Sequence, residues 1–216
     1  MTGWPRSIVA AGHVEPCPRR VRGRLDGRVV VDTIGARYVW DHPHYPRYAF
    51  PAADVELDTS GMARDGDLVA VPWDAVDAWF EEEEQIHVHP RNPYVRVDPL
   101  RSSRHVRVER DGMLLAETHA PVVLFETGLP PRTYVDRGAV NWAVLRHSDT
   151  QTACPYKGTT SDYWSFVTAD GRTVPDIAWS YVFPTTACAA IAGLVAFYDE
   201  RVDVWVDGVA QERPKA

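Results

Sequence analysis

One stretch of the chain occurs twice. VRGRLDGRVVVDTIGARYVWDHPHYPRYAFPAADV, residues 21–55, and VRVERDGMLLAETHAPVVLFETGLPPRTYVDRGAV, residues 106–140, align without a gap. Val21-Arg22 matches Val106-Arg107, Asp26-Gly27 matches Asp111-Gly112, and Thr33 matches Thr118. Pro46-Arg47 matches Pro131-Arg132, and Val55 matches Val140. Asp32 with Glu117, Trp40 with Phe125 and Asp41 with Glu126 are conservative pairs in the same register. Such agreement in one register identifies an internal duplication.

Each copy reads as β structure. Asp-Gly between apolar or alternating runs is the strongest short hairpin signal. Val29-Val30-Val31 and Met113-Leu114-Leu115 are the returning strands, and Tyr38-Val39-Trp40 and Val122 to Phe125 are the next. The fold class is therefore mainly β with short helices, in two tandem related repeats.

The copies diverge after Val55 and Val140. The first passes through a polar stretch to LVAVPWDAVDAWFEEEE, where Val76, Trp79 and Phe80 have helical spacing; a strand, QIHVHP, follows. The second inserts a cysteine-bearing segment, then a short Ala-rich helix over 185–194, then a strand around Val204. Glu81 to Glu84 read as a solvated run at the end of the first helix. The expected organisation is an N-terminal arm at 1–20 anchored by Trp4 and Ile8, a shortened first repeat at 21–98, a connector at 99–105, and a complete second repeat at 106–210.

Charge and cysteine usage narrow the partners. A net charge of −7 argues against a nucleic-acid partner and against an anionic membrane surface. No run approaches the length of a membrane span. Three cysteines, Cys17, Cys154 and Cys188, form no CxxC pair, and no secretory leader is apparent. Reduced thiols, a cytoplasmic setting and no metal or other cofactor are expected. His42 with His44, and His87 with His89 on one strand face, lack a matching cysteine or carboxylate and read as surface or packing residues.

The densest chemistry lies in DTQTACPYKGTTSDYWSF, residues 149–166. Cys-Pro-Tyr-Lys reads as a turn, with Pro155 presetting φ and Gly158 relieving the exit. Cys154 and Lys157 then face each other, and an adjacent ammonium favours the reactive thiolate. A packed cysteine in a hairpin with lysine in solvent is the plainer alternative. Trp164 shares a strand face with Phe166. Trp179 and Tyr181, in IAWSY, share another. With Tyr156 they offer an aromatic wall, and Arg132 offers a guanidinium to an anion, unless it has the same structural role as its repeat partner Arg47. His147, seven residues before Cys154, is the only nearby candidate base.

The second half resembles domain-of-unknown-function family 427, a set of small bacterial β-rich proteins. The resemblance rests on SSRHVRVERDG (102–112), LFETGLPPRTYV (124–135), ACPYKGTTSDYWSF (153–166), IAWSY (177–181) and AGLVAFYDERVDVWVDG (192–208). The first half is similar to a shortened copy that lacks CPYKG and IAWSY. The resemblance implies a β-tent-like fold. Zinc-binding relatives of that fold hold ligands in a Trp cage, but the paired CxxC motifs of a zinc site are missing here. The family has carried a nucleotidyltransferase-like label. This chain has neither a glycine-rich phosphate loop nor a carboxylate pair at metal-binding spacing to match it.

Three functions fit these residues. One is a module binding a small polar or anionic molecule against Tyr156, Trp164, Trp179 and Tyr181, with Lys157 and Arg132 supplying charge. Another is an enzyme with Cys154 as nucleophile and Lys157 as activator. The third is a structural or interaction protein. The oligomeric state is not encoded in any motif.

Overall fold

The computed structural model describes residues 9–214, so the arm anchors Trp4 and Ile8 lie outside the described residues. The described chain forms two compact units, residues 9–95 and 96–214. The first contains β1 (Val14–Pro16), β2 (Val21–Leu25), β3 (Arg28–Thr33), β4 (Arg37–Val39), β5 (Arg47–Pro51), β6 (Arg64–Asp65), β7 (Leu68–Val69), β8 (Ala78–Glu81) and β9 (Glu84–Ile86). The second begins with β10 (Val97–Arg101), β11 (Val106–Arg110), β12 (Met113–Thr118), β13 (Val122–Glu126), β14 (Arg132–Val135) and β15 (Leu145–Ser148). It continues with β16 (Ala153–Cys154), β17 (Gly158–Thr159), β18 (Asp162–Val167), β19 (Thr173–Ser180), β20 (Val195–Phe197), β21 (Asp203–Val206) and β22 (Val209–Ala210). The segment expected as a connector, 99–105, therefore begins inside β10, which pairs with β13.

The duplication holds at the level of hydrogen bonding. One sheet runs β3-β2-β8-β9 in the first unit and β12-β11-β21-β22 in the second. The other runs β1-β4-β5-β7-β6 and β10-β13-β14-β20-β19-β18-β15. Asp26-Gly27 and Asp111-Gly112 have positive φ at both residues, the requirement of a two-residue turn matching strand twist. Both hairpins carry a register shift at the same aligned place, Gly23/Arg24 and Val108/Glu109. The isolated bridges Val31–Val55 and Ala116–Val140 also correspond. The second unit differs by extending its larger sheet past β19 with β18 and β15.

Two readings of the first unit are corrected. The helix expected around Val76, Trp79 and Phe80 is a single 3-10 turn, Trp73–Ala75, followed by an extended Val76 and by β8, which pairs with β2. Alternation decides the faces: Trp79 and Glu81 are buried, while Phe80 turns outward under the guanidinium groups of Arg22 and Arg24. The acidic run is thus a hairpin turn, with Glu82 at φ 52, the value found at Asp207 in the equivalent β21–β22 hairpin. Glu81 is only 2% exposed. It receives the Tyr48 hydroxyl at 2.7 Å, Arg19 at 2.5 Å and Arg91 at 2.9 Å. A carboxylate this deep needs such partners.

His87 and His89 do not alternate on a strand, because Val88 between them turns with φ 70. His89 stacks on Tyr45 at 3.7 Å, and Tyr45 on His42 at 4.0 Å. Among the described residues no three His, Cys, Asp or Glu side chains converge as metal ligands, and no helix is long and apolar enough to cross a membrane.

The seven-stranded sheet has a different core on each side. Trp164, Phe166, Ile177 and Ala178 pack with Val106, Leu115 and Phe197. Tyr163, Trp179 and Tyr181 pack with Tyr134, Leu124, Cys188 and Ile191. The last two both come from the Ala-rich segment, which is a 3-10 helix, Thr186–Ile191.

Candidate functional site

The Cys154 segment folds as a small hairpin. Cys154 pairs with Gly158, and Pro155, Tyr156 and Lys157 make the turn. Gly158 has φ 95, and a Cβ there would stand 3.5 Å from the Phe183 carbonyl, so the turn leaves through a position suited to glycine. Its carbonyls find donors on the segment that leads into the 3-10 helix. Thr185 N–H bonds to Lys157 O at 3.1 Å, Thr185 Oγ1 to Tyr156 O at 2.6 Å, and Cys188 Sγ lies 3.6 Å from the same oxygen. Cys154 and Tyr156 are half-buried at the surface end of this clamp.

Lys157 turns inward and pairs with Glu126; their side chains are 14% and 8% exposed. Burial opposes the ammonium, but the neighbouring Cys154 sulfur, the Glu126 carboxylate and the Tyr134 oxygen outweigh it and hold Lys157 protonated above the usual lysine range. Around the pair, burial pushes the Tyr134, Tyr181 and Tyr198 hydroxyls and the Cys188 thiol up, so they keep their protons. Tyr198 and Cys188 make hydrogen bonds as neutral groups, whereas the buried Tyr134 hydroxyl has no hydrogen-bond partner among the described residues. Tyr198 Oη lies 3.2 Å from Tyr163 Oη, which lies 2.9 Å from Thr152 Oγ1.

Arg132 has its charge answered from within. It contacts Glu200 at 2.9 and 3.2 Å, Asp199 at 3.4 Å and the Phe197 carbonyl at 3.0 Å, and it lies over the Trp179 ring at 5.4 Å. Burial pushes the Asp199 carboxyl up to about 6 against the pull of Arg132, and Glu200 adds to the rise. Both cations expected to meet an anion thus already face carboxylates.

The structure brings Cys154, Tyr156, Lys157, Trp179, Tyr181 and Arg132 onto one side of the sheet and puts Trp164 on the other. Tyr163 stands opposite Trp179 in the β18–β19 register, whereas Trp164 stands opposite Ala178. The wall of Trp164, Trp179 and Tyr181 is therefore corrected: Tyr163 takes the third place, and all these rings are less than a tenth exposed. His147 follows Trp164, 6.4 Å from its ring and 3.5 Å from Asp162, and so is no base for Cys154.

Sequence reading gave no site role to Glu126, Tyr134, Tyr163, Tyr198 or Asp199. One signal was present: Glu126 and Arg132 align with Asp41 and Arg47. In the first unit Asp41 and Arg47 bond to each other at the surface. In the second, the same two positions pair with Lys157 and with Asp199 and Glu200.

A family profile described as a domain of unknown function (DUF427) matches residues 13–81 and 98–208, one segment in each unit. No curated protein matches the chain.

Proposed function

The chain belongs to the DUF427 family, and from that premise we propose that its second repeat binds a small polar molecule, uncharged or cationic, at the Cys154–Lys157 hairpin. Tyr156, Trp179 and Tyr181 border the site, and Cys154 stands at its mouth. The observation that carries this reading is the buried Lys157–Glu126 pair. A buried ion pair is weak evidence for stability, since apolar residues of similar volume often do as well. The first repeat builds the same strand order with an exposed pair at the aligned position and no such hairpin. The fold does not require the buried charges, and perturbed groups gathered at one place mark functional sites. An anion is disfavoured because Lys157 and Arg132 both face carboxylates.

The test is thermal denaturation across a panel of neutral, cationic and anionic small polar molecules. A ligand at a hundred times its Kd stabilises by about 2.7 kcal/mol. The expected hit is uncharged or cationic, and its effect disappears in Glu126→Gln. A panel that leaves the melting temperature unchanged favours a structural or interaction role instead.

Cys154 as a nucleophile is the second reading. A half-buried thiol beside a protonated lysine supports it. Against it, Lys157 is shared with Glu126, and the one nearby histidine lies on the other face of the sheet.

A further inference from the structure

We infer that Trp142, Trp164, Arg137, Asp162 and His147 form a second binding site, on the sheet face opposite the Cys154 hairpin, and that it takes a neutral hydroxyl-rich ligand of the pyranose type. Trp142 is 36% exposed, a large apolar ring left in water. It is nevertheless fixed. Its indole N–H bonds to the Arg137 carbonyl at 2.9 Å, and its ring meets Trp164 edge-on at 5.1 Å. The Arg137 guanidinium lies 5.1 Å from the Trp164 ring and 5.9 Å from that of Trp142. It bonds to Asp162 at 2.5 Å and to the Gly193 carbonyl at 3.2 Å. Asp162 also faces the His147 ring nitrogen at 3.5 Å, and His147 is more than half exposed.

The chemistry of this cluster selects the ligand. Arg137 and Asp162 cancel each other, so the site favours neither an anion nor a cation by charge. What remains is an aromatic platform bordered by a guanidinium, a carboxylate and an imidazole. Planar ionised groups make strong directional hydrogen bonds to hydroxyls. An aromatic face is suited to the C–H side of a sugar ring, which is apolar while its rim is polar. Side chains immobilised before binding lose little freedom on binding. The first repeat does not build this arrangement. The aligned position of Arg137 in the first repeat is Ala52. The strands that supply His147, Asp162 and Trp164 extend the sheet beyond anything the first repeat contains.

The experiment is an intrinsic tryptophan fluorescence titration of the full chain with methyl α-D-glucopyranoside and methyl β-D-galactopyranoside, and with adenosine monophosphate as a charged, planar comparison. A saturable change with at least one pyranoside is expected, and Trp142→Ala should weaken it roughly tenfold or more. Asp162→Asn reports the polar contribution without removing an aromatic ring and should weaken it as well. Silence from both pyranosides, a response to adenosine monophosphate alone, or an unchanged response in Trp142→Ala would each overturn the assignment.

Discussion

Asp41 and Arg47 bond to each other across the β4–β5 turn, while Glu126 and Arg132, which hold the same places in the second repeat, bond to different partners. The duplication supplies an internal control. At these aligned positions the scaffold carries an exposed pair in one copy and a buried, redistributed set of charges in the other.

That contrast predicts unequal costs. Glu126→Gln leaves the Lys157 ammonium buried without its carboxylate and should destabilise by about 3–5 kcal/mol. Arg47→Ala removes a surface pair and should cost about 1 kcal/mol or less. The double change Glu126→Leu with Lys157→Met should recover much of the single-variant loss. Urea unfolding of the four proteins checks all three expectations; equal costs for Glu126→Gln and Arg47→Ala would refute the functional distinction drawn between the pairs.

The acidic run 81–84 offers a comparison within four residues. Glu81→Ala removes the carboxylate shared by Tyr48, Arg19 and Arg91 and should cost about 2–4 kcal/mol. Glu83, whose side chain is 82% exposed, pairs with Arg22 at the surface, and Glu83→Ala should stay within about 0.5 kcal/mol. Chemical denaturation of the two variants decides it. A solvated run at a helix end, the sequence expectation, would make them alike.

That expectation failed for a physical reason. Val76, Trp79 and Phe80 sit at spacings that suit a helix turn and equally a short half-buried strand, and local pattern does not choose between them. Pairing with β2, more than fifty residues earlier, made the choice. The Asp-Gly hairpins were legible because their turn geometry is local: positive φ at two successive residues needs those residue types. The CPYKG turn was legible on the same ground. Its partner Glu126 was not, because Lys157 and that carboxylate are 31 positions and several strands apart. Alternation along one strand placed Trp179 with Tyr181, but which residue of β18 stands opposite Trp179 depends on register. The β18–β19 ladder, shifted between Trp164 and Phe166, aligns Tyr163 there.

Asp199 should leave a pH signature. Its carboxyl is raised from 3.8 to about 6 in the folded protein, chiefly by burial. Between those values the native state binds more protons than the unfolded state. The contribution of this group is therefore fully present below about pH 4 and is lost as pH rises through about 6, on the order of 2–3 kcal/mol in all. Asp199→Asn cannot titrate, so the stability difference between variant and wild type should shift in favour of the variant across that window. Denaturation measured at several pH values from 4 to 7 tests it. A difference that is flat with pH, or that moves toward the wild type, would show that the carboxyl is not raised.

Cys17 and Cys188 are 2% and 0% exposed, and burial raises both thiols above the ordinary range. Only the thiolate alkylates, so each is protected twice, by access and by protonation. Cys154 is half-buried on the hairpin that ends the buried Lys157–Glu126 pair. Iodoacetamide at neutral pH should therefore add one label to the folded chain, and peptide mapping should find it on Cys154; unfolding in urea should raise the count to three. Labelling at Cys188 before unfolding would mean that the clamp between Thr185, Cys188 and the Tyr156 carbonyl opens in solution. No label on Cys154 in the folded protein would remove the sulfur from the mouth of the proposed site and end the nucleophile reading. The binding reading would then have to stand on Tyr156, Trp179 and Tyr181 alone.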